Sequence, residues 1–192
     1  MRIVLGGNSD IAKAIMGIKV TREMCDVTNY NEVIKFLKEN NASEVVNCAG
    51  VIYPAPIRYS LINNWKKEIE VNLIASYYVA KACCELNAKM VFIGSTSGLK
   101  GRAGWSGYCA SKAGLISLVQ SLAEEGFDAW CINPSRTATK MRKKLFPNDD
   151  SSTLLKPSDI AIVVEKCFDG KYKSGSNITI KKNNNNIIEE VR

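Results

Sequence analysis

The segment Ser106–Gly114, with the sequence SGYCASKAG, places one tyrosine and one lysine four residues apart among small residues. On a helix, residues i and i+4 lie on the same face one turn apart, so the Tyr108 phenol and the Lys112 ammonium can meet. An ammonium near a phenol favours the phenolate and lowers the tyrosine pKa from about 10. Such a pair could donate and accept protons near neutral pH. The alternative is a surface Tyr/Lys pair on an ordinary helix.

Other side chains that commonly do chemistry are scarce in this chain. It has no histidine, which excludes His-based triads and makes a zinc or iron site unexpected, so we expect no metal. Acid–base chemistry is left to Tyr, Lys, Asp, Glu or Cys. The seven cysteines are odd in number and lack a CxxC spacing. Because the first residues, MRIVLGGNSD, do not resemble a signal peptide, we expect reduced thiols and a cytoplasmic location.

The bulk composition is that of a globular domain. The chain has 192 residues, 46% of them hydrophobic and 23% charged, and no apolar run approaches the roughly 20 residues that span a bilayer. We therefore expect one domain and no membrane association. The net charge of +7 suits nucleic acid, a membrane surface, an anionic small molecule or simply a solvated surface. No RNA-module motif or basic-aromatic stripe is present, so we expect no nucleic-acid partner.

Short apolar segments alternate with helical patterns along the chain. Strands are predicted at RIVL near the start, at Ile18–Thr21, within EMCDVTN ending at Asp26, and at Glu44–Gly50, Lys89–Gly98, Ala129–Ser135 and Asn177–Lys182. Helices are predicted after the first glycine turn with Ile11, Ala14 and Ile15 on one side, at Asn29–Asn41 with Val33, Ile34 and Leu37 inward, within LINNWKKEIEVNLIASYYVAKACCELN as one helix or two, from Ser106 to Gly126, and at Pro157–Phe168.

This alternation, with continuously apolar strands, predicts an α/β fold: a Rossmann-type, doubly wound parallel sheet with helices on both faces. No repeat or linker divides residues 1–182, which we expect to form a single domain. The run Asn183–Asn186 is of low complexity, and residues 183–192 are expected to form a frayed polar tail.

In such sheets, ligands bind beyond the carboxyl ends of the strands. The segments to inspect are therefore those that follow predicted strands, and all contain small or polar residues. They are GGNSDIA (Gly6–Ala12), where backbone N–H groups and a helix start can hold a phosphate, NCAG (Asn47–Gly50), STSG (Ser95–Gly98), the Tyr108/Lys112 pair and NPSRTAT (Asn133–Thr139).

In this order the segments resemble the short-chain dehydrogenase/reductase family, from Arg2 to about Ile180. The matching positions are the glycine loop Gly6–Ala12, Asp26-Val27-Thr28, Asn47–Gly50, Asn72, Ser95, Tyr108, Lys112, and Pro134 with Ser135 and Thr139. Ala12 and Ser135 replace glycines of the family and Cys48 replaces an asparagine, all small residues. The segment between Thr139 and Pro157, on the substrate side, is brief and suggests an open site or one completed by a partner.

The resemblance implies hydride transfer between a nicotinamide cofactor and a carbonyl/alcohol pair. Tyr108 would supply the proton, its pKa lowered by Lys112 and the positive nicotinamide, and Ser95 would hydrogen-bond the substrate oxygen. Lys112 would also hold the nicotinamide ribose, and Asn72 would order a water that passes protons to it.

The resemblance also implies the residues that hold the cofactor. They are Gly6, Asn8, Ser9, Asp10, Ile11, Arg22, Asp26, Val27, Asn47, Ala49, Gly50, Tyr108, Lys112, Pro134, Thr137 and Thr139. Asp26 follows Gly6 by twenty residues, a spacing that by itself favours NAD. However, the first helix is short, so Arg22 falls directly after the second strand, where an arginine suits a 2′-phosphate. We therefore expect NADP, with NAD as the alternative.

The resemblance implies a small carbonyl or alcohol as substrate and does not name it. Arg136, Arg142, Lys143 and Lys144 are expected near the open end of the site, and guanidinium groups suit phosphate. The stretch INPSRTATKMRKKLF also looks like one in reductases that make ribitol phosphate from ribulose phosphate; an ordinary basic lid is the alternative. The resemblance further suggests a homodimer or homotetramer through the helices around Asn63–Glu85 and Ser106–Glu125. A different class of function remains open: a regulatory protein that binds the dinucleotide without catalysis.

Overall fold

The computed structural model describes residues 1–183 and 186–192, and strands alternate with helices through them. The strands are β1 (Arg2–Leu5), β2 (Ile18–Val20), β3 (Glu44–Asn47), β4 (Lys89–Ile93), β5 (Ala129–Pro134), β6 (Asn177–Asn183) and β7 (Asn186–Val191). The α-helices are α1 (Asp10–Ala14), α2 (Tyr30–Glu39), α3 (Ile62–Ile69), α4 (Ala75–Leu86), α5 (Ser106–Glu124), α6 (Lys140–Leu145) and α7 (Pro157–Phe168).

The strands form one sheet in the order β2-β1-β3-β4-β5-β6-β7. Every neighbouring pair is parallel except β6 and β7, which are antiparallel. The order reverses between β1 and β3, so the chain winds in both directions from the middle of the sheet. The predicted doubly wound Rossmann-type architecture is confirmed.

The sheet is covered on both faces because successive strand residues point to opposite sides. Ile3 and Leu5 of β1 pack in a core with α2, α4 and α5, whereas Val4 between them packs in a second core with α1 and α7. Burying an aliphatic side chain of this size stabilises the fold by about 1.5–3 kcal/mol. Each apolar strand thus contributes side chains to both cores, and polar groups lie at the strand ends.

The strand predicted to end at Asp26 is wrong. Residues 21–29 form turns instead, with the Met24 and Cys25 amides both donating to the Thr21 carbonyl oxygen. The Asp26 carboxylate accepts from the Thr28 amide at 2.9 Å and from the Thr28 hydroxyl at 2.7 Å. These local hydrogen bonds compete with strand pairing, so β2 is the edge of the sheet.

The long helical segment before β4 is continuous but not uniform. A π-helical turn, Glu70–Ile74, joins α3 to α4 and contains Asn72. Single π turns inside α-helices are frequent at functional sites. The alternatives of one helix or two are therefore resolved as one helical segment with a widened turn at Asn72.

Two smaller predictions are also corrected. On α1, Ala12 and Ile15 are buried but Ala14 is exposed, because the helix is only five residues long and Ile15 already leaves it. The predicted frayed tail contains β7, whose Ile187 and Val191 pair with Lys182 and Ile178 of β6. The β-branched residues of this segment, Ile187, Ile188 and Val191, favour a strand. Asn184 and Asn185 lie outside the described residues.

Within those described residues, no helix is both long and apolar enough to cross a membrane.

Candidate active site

One large cleft opens at the carboxyl ends of the parallel strands, with a volume of about 810 Å³. Its wall includes the residues that follow β1, β3, β4 and β5, namely Gly6, Cys48, Gly94 and Ser135. Of the predicted site residues, all line this cleft except Asn47 and Asn72, which are buried behind it. The structure therefore brings together side chains from Gly6 to Thr139, as the strand-end argument predicts.

Tyr108 and Lys112 lie one turn apart near the start of α5, and both line the cleft. The Lys112 ammonium lies 5.8 Å from the centroid of the Tyr108 ring and donates a hydrogen bond to the Ile93 carbonyl oxygen at 2.8 Å. Lys112 is only 4% exposed. Burial disfavours the charged form and lowers the pKa of Lys112 to about 8.

Ser95 follows β4 and faces Tyr108. Its amide donates to the Asn133 side-chain oxygen at 3.1 Å, and its hydroxyl oxygen accepts from the Ser97 amide at 3.1 Å. A hydrogen bond from the Ser95 side chain to Tyr108 favours the phenolate, whereas burial opposes it more strongly. The net result is a Tyr108 pKa above its usual 10.

The expectation that Lys112 lowers the Tyr108 pKa is therefore not met in this structure. The ammonium is directed at the Ile93 carbonyl oxygen rather than at the phenol oxygen, and burial dominates the balance at Tyr108.

Asn72 is fully buried in the π turn and connects two segments of the site. Its amide group exchanges two hydrogen bonds with the Val51 backbone, at 2.8 and 2.9 Å, and donates to the Ser111 hydroxyl at 3.1 Å. A Cβ placed on Gly50 would lie 3.4 Å from the Asn72 side-chain oxygen and 3.7 Å from the Lys112 nitrogen. Asn72 and Lys112 are thus neighbours across a glycine, which is the proximity that the predicted water relay requires.

The loop after β1 lies against the loop after β3. Gly6 has a φ of +72°, and a Cβ at this position would lie 2.6 Å from the Ala49 nitrogen, so only glycine fits. Ser9 caps α1 by accepting from the Ala12 amide, and the Asp10 carboxylate accepts from the Lys140 amide at 2.6 Å. Ala12, which replaces a family glycine, is fully buried in the core below.

Asn47 supports the site from behind. Its side-chain oxygen accepts from the Ala49 amide at 3.1 Å and its nitrogen donates to the Ser76 hydroxyl at 3.1 Å. We therefore place Asn47 as a support of the Ala49–Gly50 wall rather than as part of the wall.

Arg22 and Asp26 lie together at one end of the cleft. The Arg22 guanidinium is paired with the Asp26 carboxylate at 3.0 Å, and the Arg22 side chain is 70% exposed. In the sequence, Arg22 favours NADP and Asp26 favours NAD. The two residues are in direct contact in the structure, and the guanidinium is exposed to solvent.

The opposite end of the cleft is basic. Arg102, Arg136, Lys140 and Arg142 all line it, whereas Lys143 and Lys144 do not. The Arg142 guanidinium is held by the Asp149 carboxylate at 2.6 Å and stacks over the Phe146 ring at 3.8 Å. Of the four basic residues expected here from the sequence, Arg136 and Arg142 reach the cleft.

Sequence reasoning missed three residues that shape the site. Asn133 holds the Ser95 amide, Trp105 packs edge-on to the Tyr108 ring at 5.8 Å, and the buried Glu68 lies behind Tyr108. Two of them carried a signal in the sequence: Asn133 is a polar residue inside an apolar strand, and Glu68 precedes Asn72 by one helical turn.

Comparison with known proteins connects this site to one family. A family model described as short chain dehydrogenase matches residues 8–150. The chain is 29% identical over 181 residues to the acetoacetyl-CoA reductase of Acinetobacter sp. (strain RA3849), covering 82% of this chain and 73% of that protein. It is 36% identical over 104 residues to the uncharacterized oxidoreductase YciK of Escherichia coli (strain K12), covering 50% of this chain and 41% of that one.

Solved structures show the same fold at low sequence identity. A small-chain dehydrogenase in complex with NADPH has a TM-score of 0.81 at 16% identity, over 94% of this chain and 95% of that one. A dehydrogenase/reductase from Sinorhizobium meliloti 1021 has a TM-score of 0.76 at 18% identity, over 93% of this chain and 92% of that one. The family model, the curated relatives and the shared fold agree: this chain belongs to the short-chain dehydrogenase family and is an oxidoreductase.

Proposed function

We propose that this protein is an NADP-dependent oxidoreductase that interconverts a carbonyl and an alcohol, with Tyr108 as the acid and base. The observation that carries the proposal is the convergence of Ser95, Tyr108 and Lys112 on one cleft, with Asn72 directly behind Lys112. A protein that only binds a dinucleotide has no use for all four. The same cleft is lined by the predicted cofactor residues except Asn47, which lies behind its wall.

The cleft has features that suit a dinucleotide. The glycine at position 6 leaves the backbone open where a side chain would collide with Ala49, and Arg22 offers a solvent-facing guanidinium. Gly6, Asn8, Ser9, Asp10 and Ile11 would hold the phosphates, with Arg22, Asp26 and Val27 at the adenosine end. Ala49, Gly50, Tyr108, Lys112, Pro134, Thr137 and Thr139 would hold the nicotinamide end. When bound, the reduced dinucleotide would supply the hydride that the carbonyl carbon accepts.

The chain's own residues would handle the proton. A carbonyl that accepts a hydride becomes an alkoxide, and Tyr108 would donate its phenolic proton to that oxygen. Ser95, whose hydroxyl lies close enough to Tyr108 to influence its pKa, would hold the substrate oxygen in place. Lys112 would return a proton to Tyr108, and Asn72 would order the water that restores the proton on Lys112.

The choice of NADP is based on Arg22. Its guanidinium lies at the cleft and is mostly exposed, so it can contact a 2′-phosphate while staying close to Asp26. Arginine recognises phosphate by paired N–H donors. The similar small-chain dehydrogenase solved with NADPH adds support.

For the substrate we propose a phosphorylated sugar. The substrate end of the cleft carries Arg102, Arg136 and Lys140, and within the described residues none of these three side chains forms an ion pair with a carboxylate. An anionic group would offset this charge. We also propose that the enzyme works in the cytoplasm, because its seven free cysteines suit a reducing compartment.

The experiment that tests this function is a titration of the purified protein with NADPH and with NADH, followed by the fluorescence of the reduced nicotinamide. We expect NADPH to bind more tightly. Arg22→Ala should weaken NADPH binding about tenfold, or about 1.4 kcal/mol, and change NADH binding little. Arg58→Ala, an exposed arginine away from the cleft, is the matched control and should bind as wild type does.

Two results would contradict different parts of this proposal. Equal weakening of NADPH and NADH by Arg22→Ala would mean that Arg22 is only structural. Binding of neither dinucleotide by the wild-type protein would contradict the proposed function.

A further inference from the structure

Glu68 on α3 is a buried carboxylate that the proposed chemistry does not use. It is 3% exposed and does not line the cleft. Burial raises its pKa above the ordinary value, as expected for a charged group removed from water. A buried carboxylate is costly unless it is well hydrogen-bonded, so its contacts indicate what it does.

The Glu68 carboxylate joins two walls of the active site. One oxygen accepts from the Tyr53 amide at 2.8 Å, and the other lies against the first turn of α5, where the nearby Tyr108 backbone N–H favours the charged carboxylate. Tyr53 belongs to the loop after β3 and lines the cleft, while Tyr108 is the third residue of α5. The carboxylate therefore connects the backbone of the acid–base residue to the opposite wall.

Glu68 also places a hydrogen-bond acceptor and a negative charge at the start of α5, where a side-chain cap is missing. The first N–H groups of a helix have no partner within it, and the residue before α5, Trp105, provides no side-chain cap. A negative charge at this end is stabilised by the helix dipole. The approach is close: a Cβ on Gly107 would run into the second Glu68 oxygen and would lie 2.9 Å from the Trp65 ring.

The titratable and polar groups that face Tyr108 lie on its own helix, on α3 and in the loop after β4. Lys112 and Cys109 are on its own helix, Glu68 is on α3, and Ser95 contributes a hydroxyl from the loop after β4. Across the cleft mouth, Arg102 lies 5.9 Å from the Trp105 ring that packs on Tyr108. Of these groups, Glu68 places a negative charge behind Tyr108, which disfavours a phenolate there.

We propose that Glu68 is a positioning residue for Tyr108: it fixes the start of α5, and with it the Tyr108 backbone, against the Tyr53 loop, and its charge adds to the burial that favours the protonated phenol. This inference rests on the proposed role of Tyr108 as acid and base. Glu68 acts through the backbone and through space and does not touch the reacting atoms.

The test is a spectrophotometric titration of tyrosine ionisation, which needs neither cofactor nor substrate. The difference between wild type and Tyr108→Phe isolates the Tyr108 step, and the same difference is measured in the Glu68→Gln background. We expect the step to move to lower pH by about 0.5–1 unit, since the negative charge is removed while one amide partner is retained. Glu124→Gln, an exposed carboxylate at the far end of α5, should leave it in place. An unshifted step in Glu68→Gln would overturn the charge role.

Turnover supplies the second readout, with NADPH and ribulose 5-phosphate as the probe pair. Glu68→Gln should lower kcat at neutral pH about tenfold and leave KM for NADPH within about twofold. If Glu68→Gln does not fold, Glu68→Asp decides: its shorter carboxylate keeps the charge but cannot reach both amides, so kcat should fall with the Tyr108 titration step unmoved. A wild-type kcat in the folded variant would overturn the positioning role. Failure of the wild-type protein to turn over the probe contradicts the proposed substrate only, because the titration still tests Glu68.

Discussion

Tyr108 and Lys112 lie one helical turn apart in a buried, poorly solvated part of the cleft. Burial holds the Tyr108 pKa above 10 and lowers that of Lys112 to about 8, so near neutral pH the phenol is protonated and Lys112 is still mostly an ammonium. A proton can then pass downhill from the Lys112 ammonium to a Tyr108 phenolate, because the phenol has the higher pKa of the two groups. The geometry that permits this is the single helical turn between them.

Replacing Tyr108 by Phe tests the acid directly. The ring and its packing on Trp105 remain, but the proton donor is lost, so turnover should fall by about 10²–10⁴-fold. NADPH binding should stay within about twofold, as judged by nicotinamide fluorescence. Tyr53→Phe removes the hydroxyl of another cleft-lining tyrosine and should leave the rate nearly unchanged. Retained turnover in Tyr108→Phe would show that another group protonates the product.

The pH dependence should report Lys112. Its pKa in the folded protein lies near 8, below the ordinary 10.5, so the ammonium is present below about pH 8 and is lost as the pH rises through that value. In the direction of carbonyl reduction, kcat/KM for NADPH should therefore decline above about pH 8, since this parameter reports the free enzyme. A profile that stays flat to pH 10 would contradict the role of Lys112 as a charged proton relay.

The site could be predicted from the sequence only where its residues form local patterns. Tyr108 and Lys112 are one turn apart, and Ser95 directly follows an apolar strand. Asn133, in contrast, reaches Ser95 across 38 residues, and its side-chain partner depends on the pairing of β4 with β5. Glu68 lies one helical turn before Asn72 in the sequence, but its bond to the Tyr53 amide is set by tertiary packing and has no short-range signature.

At the scale of elements, the turn after β4 and the helix α5 hold the catalytic groups together. Thr96–Gly98 forms a 3₁₀ turn that packs on α5, and a Cβ on Gly98 would lie 2.7 Å from the backbone carbonyl of Lys112. Backbone atoms cannot move aside as a flexible side chain can. The absence of a side chain at Gly98 thus sets the distance between Ser95 and the Tyr108/Lys112 pair.

Gly98→Ala should separate these two elements. We expect a loss of about 1–3 kcal/mol in the free energy of unfolding, typical of overpacking, and at least a tenfold loss of turnover. Gly101→Ala is the matched control, because a Cβ there meets nothing within 4 Å and its φ is not in the left-handed region. Its stability should change by no more than about 0.5 kcal/mol. Thermal unfolding and initial rates measure both effects, and equal behaviour of the two variants would contradict this account.

Strands buried on both faces could be predicted from the sequence, whereas the turn at Asp26 and the π turn at Asn72 could not. The apolar runs that became β1 and β3–β6 are buried on both faces, so hydrophobicity alone identifies them. The segment around Asp26 has strand-forming residues, yet the Asp26–Thr28 hydrogen bonds bend it into a turn. The π turn at Asn72 arises within a regular helical pattern and leaves no trace in hydrophobic spacing.

On the scale of the whole molecule, the layer of helices that contains α4 and α5 presents both apolar and small residues to solvent. On the α4 and α5 side, Ile74 and Tyr77 are exposed apolar residues, and the exposed positions of α5 include the small Ala110 and Ala113. Small side chains allow a second helix to approach closely, and exposed apolar surface favours association. We therefore propose that a second copy of the chain packs on this side, in a homodimer or homotetramer.

Light scattering coupled to size-exclusion chromatography tests this proposal, because the mass should be two or four times the 21.1 kDa of one chain. Tyr77→Arg should shift the protein towards the monomer, since Tyr77 is 50% exposed on α4 and a buried, unpaired charge would oppose association. Ile162→Arg is the control: Ile162 is 56% exposed on α7, which covers the other face of the sheet, and its replacement should leave the mass unchanged. A monomeric wild type would contradict the proposal, and dissociation by Ile162→Arg alone would place the interface on the opposite layer.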